Sequence, residues 1–77
     1  MNKMRRELLG NALCLLERVS DTVSQVLYDE QDSLDNTPEN FQYTDRYENA
    51  EEAVSHLEDA EELLHQAIEQ IETAAAY

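Results

Sequence analysis

The chain has 77 residues, one cysteine and a formal net charge of −13 at pH 7. A domain of this length hides only about 60% of the surface that its unfolded chain exposes, and one cysteine cannot form an internal disulfide, so we expect a thin core supplemented by a second subunit or a metal. The negative charge opposes direct binding to nucleic acid or to an anionic membrane and favours basic protein surfaces as partners.

The charge is distributed unevenly along the chain. Residues 1–18 carry four basic and two acidic side chains, a sum of +2, whereas residues 19–77 carry sixteen acids against Arg46 alone, a sum of −15. No apolar run approaches the roughly 20 residues of a membrane span, and no charged-then-apolar leader opens the sequence. We therefore expect a cytoplasmic protein.

A first helix is predicted over about 2–34, because apolar residues recur there at helical spacing without a proline. It carries two apolar stripes that together cover roughly half of its circumference, more than one neighbouring helix can cover. One stripe contains Met4, Leu8, Ala12 (or Asn11), Leu15, Val19, Thr22 and Val26. The other contains Leu9, Leu13, Leu16, Ser20, Val23 and Leu27, and its alternating steps of four and three are typical of a coiled-coil seam.

A connector is predicted over about 35–45. Asn36 and Thr37 precede Pro38, a combination that ends a helix and can cap a short new turn. Asp45, with Glu48 three residues later, has the pattern of a capping box for the next helix, and Thr44 is the alternative cap.

The second helix, predicted over about 46–75, has one narrower stripe that suffices for one partner helix. Its members are Ala50, Ala53, Leu57, Ala60, Leu64, Ala67, Ile68, Ile71 and Ala75. So short a connector predicts an all-α, antiparallel two-helix hairpin.

The hairpin leaves one stripe of the first helix without a partner. We expect the coiled-coil seam to meet the same seam of a second copy, giving a homodimeric four-helix bundle. The predicted dimer seam consists of Leu9, Leu13, Leu16, Val23 and Leu27. The alternative is a monomer in which Phe41, Tyr43 and the connector fold back over this seam.

The pattern Glu62-x-x-His65 has the local spacing of di-iron four-helix proteins, in which both side chains project inward. On a helical wheel both residues point away from the stripe around Leu64. Cys14 has no histidine within a turn, and Gly10 is the only glycine, so no glycine-rich phosphate loop exists. We expect no metal site, no cofactor and no catalytic residue, and hence a protein that is not an enzyme.

A row of carboxylates lies on the outer side of the second helix. Its members are Glu48, Glu51, Glu58, Asp59, Glu62 and Glu69. They recur roughly every 6 to 10 Å, comparable with the several-ångström spacing of phosphates along a DNA strand. A solvated helix usually mixes signs, yet no lysine or arginine follows Arg46. The row predicts binding to a basic nucleic-acid-handling protein; the alternatives are a plain solvated surface, or a structural homodimer or adaptor that acts through the first-helix seam.

The segment "DNTPENFQ", followed by "DRYENAEEAVSHLEDA", resembles small acidic helical-hairpin proteins of phages and prophages of Gram-positive bacteria. The likeness covers roughly residues 35–60 and carries over no functional residue. It implies a phage context, in which small acidic proteins block host nucleases or polymerases, including CRISPR effectors, by imitating nucleic acid or covering its binding site. A phage-encoded chain would act in the cytoplasm of the bacterial host.

Overall fold

The computed structural model describes all 77 residues and contains two long helices and no strand. Helix α1 spans Lys3–Asp35, a short 3₁₀ turn covers Glu39–Phe41, and helix α2 spans Asp45–Ala75. The two helices pack along their length into a rod whose principal extents are 59, 14 and 14 Å. The predicted all-α helical hairpin is confirmed.

Side-chain caps set where the two helices begin. The Asn2 side chain accepts a hydrogen bond from the Arg5 amide over 2.8 Å, and the Thr44 hydroxyl accepts one from the Tyr47 amide over 3.2 Å. Thr44 has extended backbone, as an N-cap requires, whereas Asp45 is already helical. The alternative cap, Thr44, is therefore the real one, and the predicted Asp45 capping box is wrong.

The helices meet through one heptad-spaced series of half-buried or buried residues on each. On α1 the series is Leu9, Leu13, Leu16, Ser20, Val23, Leu27, Glu30 and Leu34, and on α2 it is Tyr47, Ala50, Val54, Leu57, Glu61, Leu64, Ile68, Ile71 and Ala75. Both series alternate steps of three and four, so each corresponds to the a and d positions of a coiled coil. The core is thin, as expected: only Leu34 and Val54 are buried, at 8% and 6% exposure.

This interface corrects the assignment of the two α1 stripes. The predicted dimer seam, Leu9, Leu13, Leu16, Val23 and Leu27, lies in the series that packs against α2. The other stripe stays exposed, with Met4, Leu8 and Leu15 at 71%, 62% and 60%. The connector does not cover it either, because Phe41 lies beside Leu34 and Pro38 at the tip and Tyr43 points into solvent.

The α2 stripe contains six of its nine predicted members, and it departs from the prediction at the other positions. Val54, which the prediction omitted, is the most buried residue, whereas Ala53 and Ala67 are exposed. The face defined by 3.6 residues per turn and the face defined by a 3.5-residue period point in different directions after thirty residues. The many alanines of α2 do not indicate which of the two faces is buried, because they are all small.

Candidate acidic interface

The heptad register divides the hairpin surface into two sides. With positions a and d between the helices, positions e and b project to one side and positions g and c to the other. Because α1 and α2 are antiparallel, the e and b positions of both helices face the same way. The rod therefore has two long faces, and the sequence makes them chemically different.

We call the e and b side the acidic face. It carries ten exposed carboxylates: Glu7, Glu17, Asp21 and Asp35 from α1, and Glu48, Glu51, Glu58, Glu62, Glu69 and Glu72 from α2. Five of the six residues predicted for partner binding lie on it. The sixth, Asp59, is exposed at an f position, on the outer edge of α2.

The carboxylates of the acidic face have almost no cationic partners within the chain. The one ion pair in the molecule joins His65 Nε2 to Glu69 Oε1 over 3.3 Å, and it exists as an ion pair only when His65 is protonated. Glu62 accepts a hydrogen bond from the Gln66 side chain over 3.1 Å. No lysine or arginine nitrogen lies within 4.0 Å of a carboxylate oxygen, so the negative potential of this face is not neutralised locally.

Two α-helices hold the carboxylates at fixed intervals along the rod. Glu51 and Glu58 are separated by roughly 10 Å along the axis, and Glu58 and Glu62 by roughly 6 Å, at 1.5 Å per residue. A cationic surface that follows a nucleic-acid backbone requires negative charges repeated at such intervals. The acidic face can supply them from a scaffold that is ordered before binding, which lowers the entropic cost of association.

The local pattern Glu62-x-x-His65 does not form a converging pair. His65 faces Glu69 and Glu62 faces Gln66, each one helical turn further along α2, and both are exposed. No three histidine, cysteine, aspartate or glutamate side chains converge anywhere in the molecule. Cys14 is exposed at a b position of α1, on the acidic face.

Sequence reasoning missed the α1 half of the acidic face. Glu17 and Asp21 share this side with the α2 row only because the Leu13 and Leu16 series, rather than the Val19 stripe, packs against α2. Both α1 stripes alternate steps of three and four, so the local pattern did not indicate which of them packs against α2.

In comparisons with known proteins, no protein-family model, no curated protein and no solved structure matches this chain. No helix meets the length and hydropathy required to cross a membrane.

Proposed function

We propose that the protein is a non-enzymatic binding protein whose acidic face blocks or modulates a basic nucleic-acid-handling protein. The observation that carries the proposal is the set of ten carboxylates on one side of a rigid rod, none of them paired with lysine or arginine. Like charges a turn apart cost helix stability, so their retention favours a cationic partner that offsets the cost.

The mode of action that fits this face is occupation of a groove that otherwise holds nucleic acid. Lysine and arginine side chains arranged to neutralise phosphates would meet carboxylates instead, and the rod would exclude DNA or RNA from the same site. The resemblance to phage proteins adds a class of target to the proposal, a host defence nuclease such as a CRISPR effector, in the bacterial cytoplasm.

Displacement of DNA tests the proposal directly. Fluorescently labelled duplex DNA is bound to a CRISPR effector nuclease and, separately, to a polymerase, and the protein is titrated in at several salt concentrations. We expect release of DNA from at least one of them, with affinity that falls as salt rises, because screening shortens the reach of the charges to about 8 Å at physiological ionic strength. Binding that does not depend on salt would contradict the electrostatic mechanism.

A charge-matched pair of variants distinguishes binding by the acidic face from a general effect of net charge. One variant carries Glu51→Gln, Glu58→Gln, Glu62→Gln and Glu69→Gln on the acidic face. The control carries Asp32→Asn, Glu39→Gln, Asp45→Asn and Glu52→Gln, which are exposed but lie off the e and b positions. Both remove four negative charges from the formal total of −13. Only the first should lose displacement; equal loss in both would indicate a nonspecific effect of charge.

The second candidate function is a structural or adaptor role for the opposite side of the hairpin. The observation that favours it is the apolar stripe of α1, where Leu8, Leu15 and Val19 are exposed. A homodimer assembled through this stripe would be a four-helix bundle. This role and the acidic-face function are compatible, because they use opposite sides of the rod.

A further inference from the structure

The g and c side of the hairpin, which we call the apolar face, has the opposite character to the acidic face. From α1 it presents Leu8, Ala12, Leu15, Val19, Thr22 and Val26, and from α2 Ala53, Ala60, Leu63, Ala67 and Ala74. The α2 half contains no carboxylate, and its polar members are Arg46, Asn49, His56 and Gln70. The apolar stripe of α1, exposed on the side opposite the charged face, is typical of an interaction site.

The spacing on α1 fits a second copy of the same helix. The six stripe residues from Leu8 to Val26 are separated by steps of four, three, four, three and four, a series that reads identically in both directions. An antiparallel copy related by a two-fold axis near residue 17 therefore places Leu8 opposite Val26 and Leu15 opposite Val19. Every apolar layer is filled, as an antiparallel coiled coil requires.

The surface at the centre of this stripe already has the shape of a coiled-coil hole. A shallow depression of about 400 Å³ is lined by Leu15, Arg18, Val19, Thr22 and Val23. The first four of these are the residues that surround a knob inserted between successive turns of a heptad-packed helix. Leu15 of a second copy, 60% exposed in the single chain, supplies that knob. The Arg18 stem lines the depression and its guanidinium can remain in water.

Charge complementarity favours the same antiparallel register. Arg5 and Asp29 lie one step outside the two ends of the stripe, each three residues from its nearest member. A two-fold axis at residue 17 brings Arg5 of each copy opposite Asp29 of the other. On a larger scale, residues 1–18 sum to +2 and residues 19–35 to −5, so antiparallel α1 helices place opposite charges together.

We propose that the apolar face binds a second copy of this chain, with the two α1 helices antiparallel, centred at residue 17 and flanked by two Arg5–Asp29 ion pairs. This refines the second candidate function and does not depend on what the acidic face binds. In the assembly, the acidic faces of both copies point outward, on opposite sides of a four-helix bundle, so the dimer presents two independent negative surfaces.

Oligomeric state is the first test. We expect sedimentation equilibrium of the full chain to give twice the monomer mass of 8.9 kDa at micromolar concentration. Leu15→Glu should raise the dissociation constant by on the order of a hundredfold, because it places a charge in an apolar layer twice per dimer. The control Tyr28→Glu, an exposed b-position residue on the other side, should leave it unchanged. Circular dichroism of both variants checks that the hairpin persists.

The register is the second test. Arg5→Asp should weaken the dimer roughly tenfold, since two ion pairs become two repulsions, and adding Asp29→Arg should restore it. In a Cys14→Ser background, a short thiol crosslinker should join copies through Arg18→Cys, which lies close to the axis. It should not join copies through Gln25→Cys, because residue 25 of the two copies would be roughly 24 Å apart at 1.5 Å per residue.

Three outcomes would overturn the proposal. The first is a monomer at every concentration, which leaves the apolar face to another protein. The second is a dimer that tolerates Leu15→Glu. The third is a dimer in which Asp29→Arg does not restore the affinity lost with Arg5→Asp and Arg18→Cys does not crosslink. We would expect this result if α1 packed on the α2 alanines of the other copy. None of these outcomes affects DNA displacement by the acidic face, so the two proposals fail separately.

Discussion

The Ser24 hydroxyl donates a hydrogen bond to Glu61 Oε2 over 2.6 Å, and this is the one side-chain hydrogen bond between α1 and α2. Glu61 occupies an a position of α2, between Leu57 and Leu64, and it is partly buried. Ser24, like Glu61, is partly buried at the interface. This polar pair lies in a mainly apolar seam, and we expect it to favour one register of two helices that could otherwise slide by a heptad.

Removing the hydroxyl should destabilise the hairpin. We expect Ser24→Ala to lower the free energy of unfolding by about 1 to 2 kcal/mol, since it leaves a partly buried carboxylate without its donor. Glu61→Leu, which removes the charge and fills the seam, should instead raise it. Urea denaturation followed by circular dichroism measures both. If Ser24→Ala had no effect, Glu61 would be satisfied by water, and the register would depend on the apolar layers alone.

The cap of α2 gives a second prediction. Thr44→Ala should cost about 1 kcal/mol of stability, because the Tyr47 amide loses its acceptor. Asp45→Asn, in the first helical position, should cost at most a few tenths of a kcal/mol, since it removes only a favourable charge near the helix N-terminus. Comparing the urea midpoints of the two variants distinguishes the caps. A larger loss of stability for Asp45→Asn than for Thr44→Ala would indicate that Asp45 is the cap.

A third prediction concerns Gly10 in the middle of α1. A methyl group added at this glycine meets no atom within 4 Å, and its φ is not positive. Gly10→Ala should therefore stabilise the protein by about 1 kcal/mol through helix propensity, which raises the melting temperature by roughly 4 to 8 °C for a chain of this size. Asn11→Ala, at the adjacent exposed position, is the control and should gain less. A decrease with Gly10→Ala would show that residue 10 needs flexibility.

These residues also show what the sequence could establish in advance. Helical periodicity and Pro38 were enough to predict two helices and the turn between them, because those signals are local. Which α1 stripe packs on α2 was not decidable by local pattern, since both stripes have steps of three and four. Which stripe packs inward depends on the matching series of α2. In that series Glu61 interrupts the apolar residues, and Val54, one heptad earlier, was therefore not assigned to it. The acidic face could be predicted only in its α2 half for the same reason.

The last prediction links the stability of the acidic face to its function. Glu58 and Glu62 are one helical turn apart, both exposed, and neither has a cationic partner. Glu58→Gln with Glu62→Gln should raise the free energy of unfolding by a few tenths of a kcal/mol, because a like-charge pair is removed. Salt should stabilise the wild type more than this variant, since screening relieves the same repulsion.

The charge-matched control for that experiment is Glu39→Gln with Glu52→Gln, which neutralises two exposed acids that lie off the acidic face and are not neighbours of each other. Thermal unfolding in low and high salt gives the stability, and DNA displacement gives the binding. On the proposed function, neutralising Glu58 and Glu62 raises stability while it weakens displacement, the opposite of what a structural role predicts. If stability and displacement fell together, these carboxylates would support the fold rather than a cationic partner.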